Sequence, residues 1–265
     1  MIRSFDDGSD QVPAEELLHR LKREADIWSK LKHENVLPFI GVCDDFAPCP
    51  VLIAPFCTFG HVGTYLRKNP SADRYELIRG VGSGLQFLHD NDIVHGDLKM
   101  QNVLVDKRGV PCICDFGISK ILDRRGFSTP SVGTVPYMAP ELFIVFDRSS
   151  VDGTLPNTTK ASDVYSFALL VLEILTSEPL KKRPRKQVVS SKVLEALRPK
   201  RADYDVYKVA DEFWMVLDHC WAFDPLLRPT IGEVLGSLSA LRGYRHSQAG
   251  LLNAAKRIES DQSTR

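Results

Sequence analysis

Apolar side chains recur at intervals of three and four between Pro13 and Leu31, where Leu17, Leu18, Leu21, Ala25, Trp28 and Leu31 are separated by charges. That spacing predicts an amphipathic helix, with Pro13 suited to its first turn and Glu15 and Glu16 to the positive end of its dipole. Two short apolar runs, Val36 to Val42 and Val51 to Pro55, flank Asp44, Asp45 and Pro48 and read as strands joined by a turn. Helical pattern returns after Gly60 and Gly63, and residues 73–89 put Leu77, Ile78, Val81, Leu85 and Leu88 on one face despite Gly80, Gly82 and Gly84. Those glycines have the composition of a phosphate loop, but such a loop follows a strand and opens a helix, whereas these sit inside a helical period. Asn102 to Val105 and Val110 to Cys114 flank Asp106-Lys107-Arg108-Gly109, which predicts a hairpin. Beyond it the pattern is mostly helical, at 162–176, 187–197, 208–222 and 230–242. Residues 144–158 read as an exposed polar insert and 247–265 as a weakly ordered tail or frayed helix.

Composition narrows the setting. The 265 residues are 43% hydrophobic and 26% charged, the profile of a globular chain able to bury a large core. Lys+Arg 34 against Asp+Glu 34 leaves no overall basic field, so nucleic acid is not an expected partner. Six cysteines show no C-x-x-C spacing, which favours reduced thiols over a metal or redox site; Cys112 and Cys114, two apart on a strand, should pack on one face as small hydrophobes. The N-terminus lacks a basic-then-apolar leader pattern. The strongest apolar stretch, Phe167 to Leu175, is broken by Glu173 and falls far short of the roughly 20 residues that cross a bilayer. It should be a buried core helix, and an intracellular, cytoplasmic protein without a membrane partner is expected. The run Lys181 to Lys186 has the composition of a nuclear-import signal or of a patch for an acidic partner, with a solvated loop as the favoured reading.

Two polar clusters bound the hairpin. His95-Gly96-Asp97-Leu98-Lys99-Met100-Gln101-Asn102 leads into it and Asp115-Phe116-Gly117 leads out, so Asp97, Lys99, Asn102 and Asp115 should converge at its open end. Two carboxylates, an amide oxygen and an ammonium are the groups needed to hold magnesium beside a phosphate and to take a proton from an attacking hydroxyl. The order H-x-D-L-K-x-x-N, then D-F-G 18 residues after Asp97, then Ala139-Pro140-Glu141 resembles the signature set of eukaryotic protein kinases. The resemblance continues at Asp163 in Ser162-Asp163-Val164-Tyr165, at Arg228 in Asp224-Pro225-Leu226-Leu227-Arg228-Pro229, and at Glu24 with Leu31-Lys32-His33-Glu34-Asn35. It spans roughly residues 10–243. Lys99 and Gly133-Thr134-Val135-Pro136-Tyr137 resemble serine/threonine-specific members, and Leu37-Pro38-Phe39 with Cys220-Trp221 resembles the tyrosine-kinase-like group, including kinase-like proteins of mushroom-forming fungi.

The resemblance implies an α+β, bilobal kinase fold: a partial N-lobe over 1–58, a mainly helical C-lobe over 59–243 and a tail over 244–265. It further implies ATP with Mg2+ and a protein substrate offering a Ser/Thr hydroxyl. Asp97 would take the hydroxyl proton, Lys99 would neutralise charge on the transferred phosphoryl, Asn102 and Asp115 would hold magnesium, and Thr134 would brace Asp97 and Lys99. Ala54 would be a small gatekeeper, Phe56 and Cys57 part of the hinge, and Leu104 the floor beneath adenine; ordinary core packing is the competing reading for the hinge and Leu104. Trp28, Phe39, His95 and Phe116, with Gly117 following, would form a hydrophobic column anchored by Asp163, while Glu24 would be the helix-C glutamate and Arg228 would pair with Glu141. Three features depart from the family. No G-x-G-x-x-G-x-V loop and no strand-three lysine precede Glu24, so helix C and strands four and five are expected without strands one to three. That loss should leave the chain a weak or inactive kinase, either an incomplete form of an active enzyme or a pseudokinase scaffold. Gly96 replaces an arginine that normally meets a phosphorylated activation loop, so dependence on loop phosphorylation is not expected. A polar insert separates Glu141 from Asp163.

Overall fold

The structure is a computed structural model and describes residues 22, 25–43, 51–115, 135–144, 158–177, 179–180, 198–204 and 209–241. The predicted tail and the 181–186 run lie outside these residues, as do helix 187–197 and most of the insert and of the first helix.

Two small antiparallel sheets and a set of helices make up the fold. Strand β1 (Gly41–Cys43) pairs with β2 (Val51–Ile53), and β3 (Val103–Val105) pairs with β4 (Pro111–Ile113) in the predicted hairpin register, Leu104 opposite Cys112. Helix α1 spans Val62–Lys68, α2 Arg74–Asp90, α3 Pro140–Ile144, α4 Lys160–Thr176 and α5 Asp211–Cys220; residues 25–28 and 231–241 are also helical. Among the described residues, no helix is long and apolar enough to cross a membrane.

Local chemistry explains the helix ends. Asp73 caps α2 by accepting from the Glu76 N–H, and Thr159 and Ser162 cap α4 reciprocally, each side chain accepting from the other's backbone N–H. Helix α4 then stops at Ser177, which takes a left-handed conformation at φ 58°. Its apolar residues are buried nearly all round, as expected of a helix running through the centre of a large core.

The glycine cluster is a packing surface. A Cβ on Gly84 would lie 2.5 Å from the Asn35 carbonyl oxygen, one on Gly80 2.6 Å from Pro111, and one on Gly82 2.5 Å from Leu235. Helix α2 needs these glycines to come this close to its neighbours, so the expectation that they are not a phosphate loop agrees with their place in the fold. Asn35 exploits the approach: its Nδ2 donates to the Pro111 carbonyl at 2.9 Å, and its carbonyl accepts from the Ile113 N–H.

The strand expected over Val36 to Val42 is shorter. Val36 forms a single parallel bridge to Ile113, Leu37 donates its N–H to the Ile113 carbonyl, and regular pairing begins only at Gly41. Residues 36 and 37 therefore line β4 rather than β2. The main core joins α2, α4, α5 and the hairpin; a second cluster contains Leu37, Ala54, Cys57, Leu104, Cys112 and Cys114, with Trp28 against it. Cys112 and Cys114 do share a buried face.

Candidate active site

Asp97, Lys99, Asn102 and Asp115 lie at the open end of the β3–β4 hairpin because Asn102 ends the turn before β3 and Asp115 follows β4 by two residues. Lys99 Nζ donates to Asp97 Oδ2 at 2.5 Å. Asn102 Nδ2 donates to the Asp97 carbonyl at 2.8 Å and to Asp97 Oδ2 at 3.2 Å. With its amide nitrogen so committed, Asn102 has Oδ1 as the atom to offer a hard cation. Asp115 is drawn to the same place through its predecessor, since Cys114 donates its N–H to the Asn102 carbonyl at 2.9 Å. Asp115 itself adopts φ 64°, a left-handed conformation that costs a non-glycine residue about 1–3 kcal/mol and that surrounding structure must enforce.

The loop holding Asp97 is fixed from beneath. The buried Asp163 carboxylate, at the start of α4, accepts from the His95 N–H at 2.8 Å, the Gly96 N–H at 2.8 Å and His89 Nε2 at 2.9 Å. Gly96 meets Asp163 at φ 79°, where a side chain would be strained, so glycine suits this turn. His95 is fully buried; its Nδ1 accepts from the Asp97 N–H and its Nε2 donates to the Cys114 carbonyl. Both contacts need the neutral ring, and burial pushes its pKa below the usual imidazole value despite nearby carboxylates.

Arg228 makes the other buried anchor. Its guanidinium donates through both terminal nitrogens to Glu141 at 2.7 Å, through Nε to the Ala222 carbonyl, and through Nη1 to the Ala161 carbonyl, and it stacks over Tyr165 at 5.0 Å. Such saturation is what lets a buried cation persist.

The apolar positions converge as well. Ala54, Cys57 and Leu104 share one cluster, and Trp28 rests on Phe39 with ring centroids 5.3 Å apart while its Nε1 donates to the Leu37 carbonyl. Phe56 does not join them: its side chain is 80% exposed. Glu24, Phe116, Gly117 and Thr134 lie outside the described residues. The sequence reading missed His89, the third donor to Asp163, although its place on the buried face of α2 was available as a signal; it also missed Tyr137 and Glu173, whose contact spans 36 residues and leaves no local trace.

Among the described residues no three His, Cys, Asp or Glu side chains form a metal cage. Magnesium needs none, since it is commonly held by one or two carboxylates together with substrate phosphates, and the oxygen donors of Asn102 and Asp115 fit that requirement.

Residues 8–238 match the family model described as protein tyrosine and serine/threonine kinase. Relatives include serine/threonine-protein kinase STY17 of Arabidopsis thaliana, 31% identical over 85% of this chain and 38% of the relative. Mitogen-activated protein kinase kinase kinase 13-A of Xenopus laevis is 34% identical over 82% of this chain and 22% of its own length. The probable serine/threonine-protein kinase drkC of Dictyostelium discoideum is 33% identical over 86% of this chain and 30% of its own. The chain thus spans well under half the length of these relatives, in each case over the stretch that carries the site. With a family match over residues 8–238, the signature motifs in order, and Asp97, Lys99, Asn102 and Asp115 at one hairpin end, the chain belongs to the protein tyrosine and serine/threonine kinase family.

Proposed function

We propose that this chain carries the phosphoryl-transfer site of a serine/threonine protein kinase of the tyrosine-kinase-like group, acting on a protein substrate with ATP as phosphoryl donor. The observation that carries the reading is the meeting of Asp97, Lys99 and Asn102 within hydrogen-bond distance, with Asp115 tied beside them through Cys114. Asp97 orients the acceptor hydroxyl and takes its proton at Oδ1 or Oδ2. Lys99 brings a cation to the place where the transferred group develops charge, and its contact with Asp97 fixes the spacing between base and cation. Asn102 and Asp115 supply oxygen ligands for magnesium, which when bound neutralises charge on the phosphates. Ala54, Cys57 and Leu104 offer an apolar slot suited to a flat base, and Trp28 closes one side of it.

Helix C and strands four and five of the small lobe correspond to the region from residue 22 through β2. Within the 265 residues no glycine-rich loop or partner lysine precedes Glu24. On this reading these 265 residues by themselves transfer weakly, because neither element is among them to hold the α- and β-phosphates. The test is magnesium-dependent transfer of labelled γ-phosphate to a mixed Ser, Thr and Tyr peptide pool. Label on Ser or Thr, lowered about a hundredfold or more in Asp97→Asn, supports the proposal. Tight protein binding with neither ATP binding nor transfer would replace it with a non-catalytic scaffold.

A further inference from the structure

Apolar side chains scattered singly over a surface need no explanation, but several gathered on one turn do. The turn after α5 carries three: Phe223 is 40% exposed, Leu226 91% and Leu227 72%. Their exposure is not that of a loose loop. Asp224 caps the turn by accepting from the Leu226 N–H at 2.9 Å, and Leu227 donates its N–H to the Asp224 carbonyl. Arg228, behind them, is buried and locked to Glu141 and to the Ala222 and Ala161 carbonyls. The two leucines therefore stand on a rigid base, so an occupant that covers them gains apolar burial without having to order the turn.

The chain supplies such an occupant. Helix 231–241 starts just after the turn, with Thr230 and Glu233 capping it reciprocally. It carries the chain about 16 Å away. Residues 242–265 follow, beyond the family match that ends at 238. Within them Leu251, Ala255 and Ile258 recur at intervals of four and three, with Ala254 beside them and Lys256 and Arg257 off the stripe. That is an amphipathic pattern over 251–258, too short to hold a helix by itself in water and so in need of an apolar face to lie on. Residues 242–250, with Gly243 and Gly250 among them, can span about 30 Å when extended, roughly twice the distance back to the turn. We propose that residues 251–258 fold back as a helix with their apolar stripe against Phe223, Leu226 and Leu227, so that this face is a docking surface for the chain's own C-terminal segment. The docking needs no phosphoryl transfer and stands apart from the reading of the active site.

The test uses the full chain and two double variants, Leu226→Ser with Leu227→Ser on the turn and Leu251→Ser with Ile258→Ser on the tail. Amide exchange by mass spectrometry should be about tenfold slower over 251–258 in the wild type than in either variant. That protection should survive an approximately fiftyfold dilution of the protein, as an intramolecular contact must. Hydroxyl-radical labelling of Phe223, Leu226 and Leu227 should rise about threefold in the tail variant, while Phe56→Ser, at an exposed apolar position elsewhere, should move neither readout. Exchange over 251–258 that is equally fast in the wild type and the turn variant, or equally slow in both, overturns the proposal. Protection that vanishes on dilution together with a dimer mass by light scattering also overturns it and assigns the face to a second copy. If the turn variant does not fold, the labelling of Phe223, Leu226 and Leu227 in the tail variant decides: a rise supports the docking, and labelling equal to wild type overturns it.

Discussion

The candidate site is approached by two parts of the chain that are held in opposite ways. On one side, the 95–102 loop is fastened by buried and half-buried hydrogen bonds through Asp163, His95 and Asn102, and Arg228 is saturated by Glu141 and backbone carbonyls. On the other, residues 25–57 contribute two strands of three residues each and leave Ile40, Val42 and Phe56 exposed. They join the rest through Asn35, Val36 and Leu37 against β4 and Pro111, through Ala54 and Cys57 packed with Leu104, and through His33 stacked on Phe87. The proposed transfer site is thus held by polar contacts, while the proposed base-binding cluster of Ala54, Cys57 and Leu104 is held by apolar packing. Binding and transfer should therefore respond to different mutations.

The difference can be broken hardest at Asp163. Replacing it with Ala orphans two buried donors and a half-buried one, at about 1–3 kcal/mol each, so urea unfolding should show a loss of about 3–9 kcal/mol, enough to unfold many domains. A loss under about 1 kcal/mol would mean the loop is not held this way. Glu141→Gln leaves the Arg228 guanidinium buried without its counter-charge and with an amide nitrogen in place of one acceptor oxygen, and about 3 kcal/mol should be lost in the same assay. Gly84→Ala strikes the junction between the two parts. Its methyl meets Asn35 backbone, so the 33–37 segment must shift, and overpacking of about 1–3 kcal/mol should appear with faster amide exchange at Leu37 but not at Gly96.

Acid should act on both sides. His95 is neutral in the fold with its pKa lowered by burial, so the unfolded chain binds its proton first as pH falls. Stability is therefore full above the ordinary imidazole value and declines below it, and His33 and His61, also lowered by burial, add to the same slope. Urea midpoints measured from pH 7.5 down to 5.5, about a unit either side of 6.5, should fall, and His95→Asn should flatten the fall. The smallest effect is expected at Phe56: Phe56→Ser, at an exposed position, should lower stability by no more than about 0.5 kcal/mol.

What the sequence discloses follows the range of the interactions. The hairpin is legible because Asp106 to Gly109 break two apolar runs at the right interval, and α4 because no polar face interrupts it. The convergence of Asp97 with Asn102 and Asp115 is legible once the hairpin is, since pairing brings its two ends together. Helix α1 is only seven residues long, and the segment holding α3 reads more as motif than as helix, so neither stands out by period. Val36 and Leu37 mislead because their apolar character serves β4 across 76 residues of chain instead of a neighbouring strand. The Tyr137–Glu173 contact is likewise a matter of distant pairing, to which local pattern is blind, whereas His89 could have been singled out as a polar residue on the buried face of α2.

The glycines of α2 also bear on the order in which the molecule can assemble. Gly80, Gly82 and Gly84 each weaken an isolated helix by about 1 kcal/mol relative to alanine, so the peptide 74–90 has little reason to coil before its neighbours arrive. Helix α4, rich in leucine and closed by its reciprocal cap, carries no such handicap. Folding should nucleate around α4, with α2 winding late as the 33–37 segment and the hairpin settle into the notch its missing side chains provide.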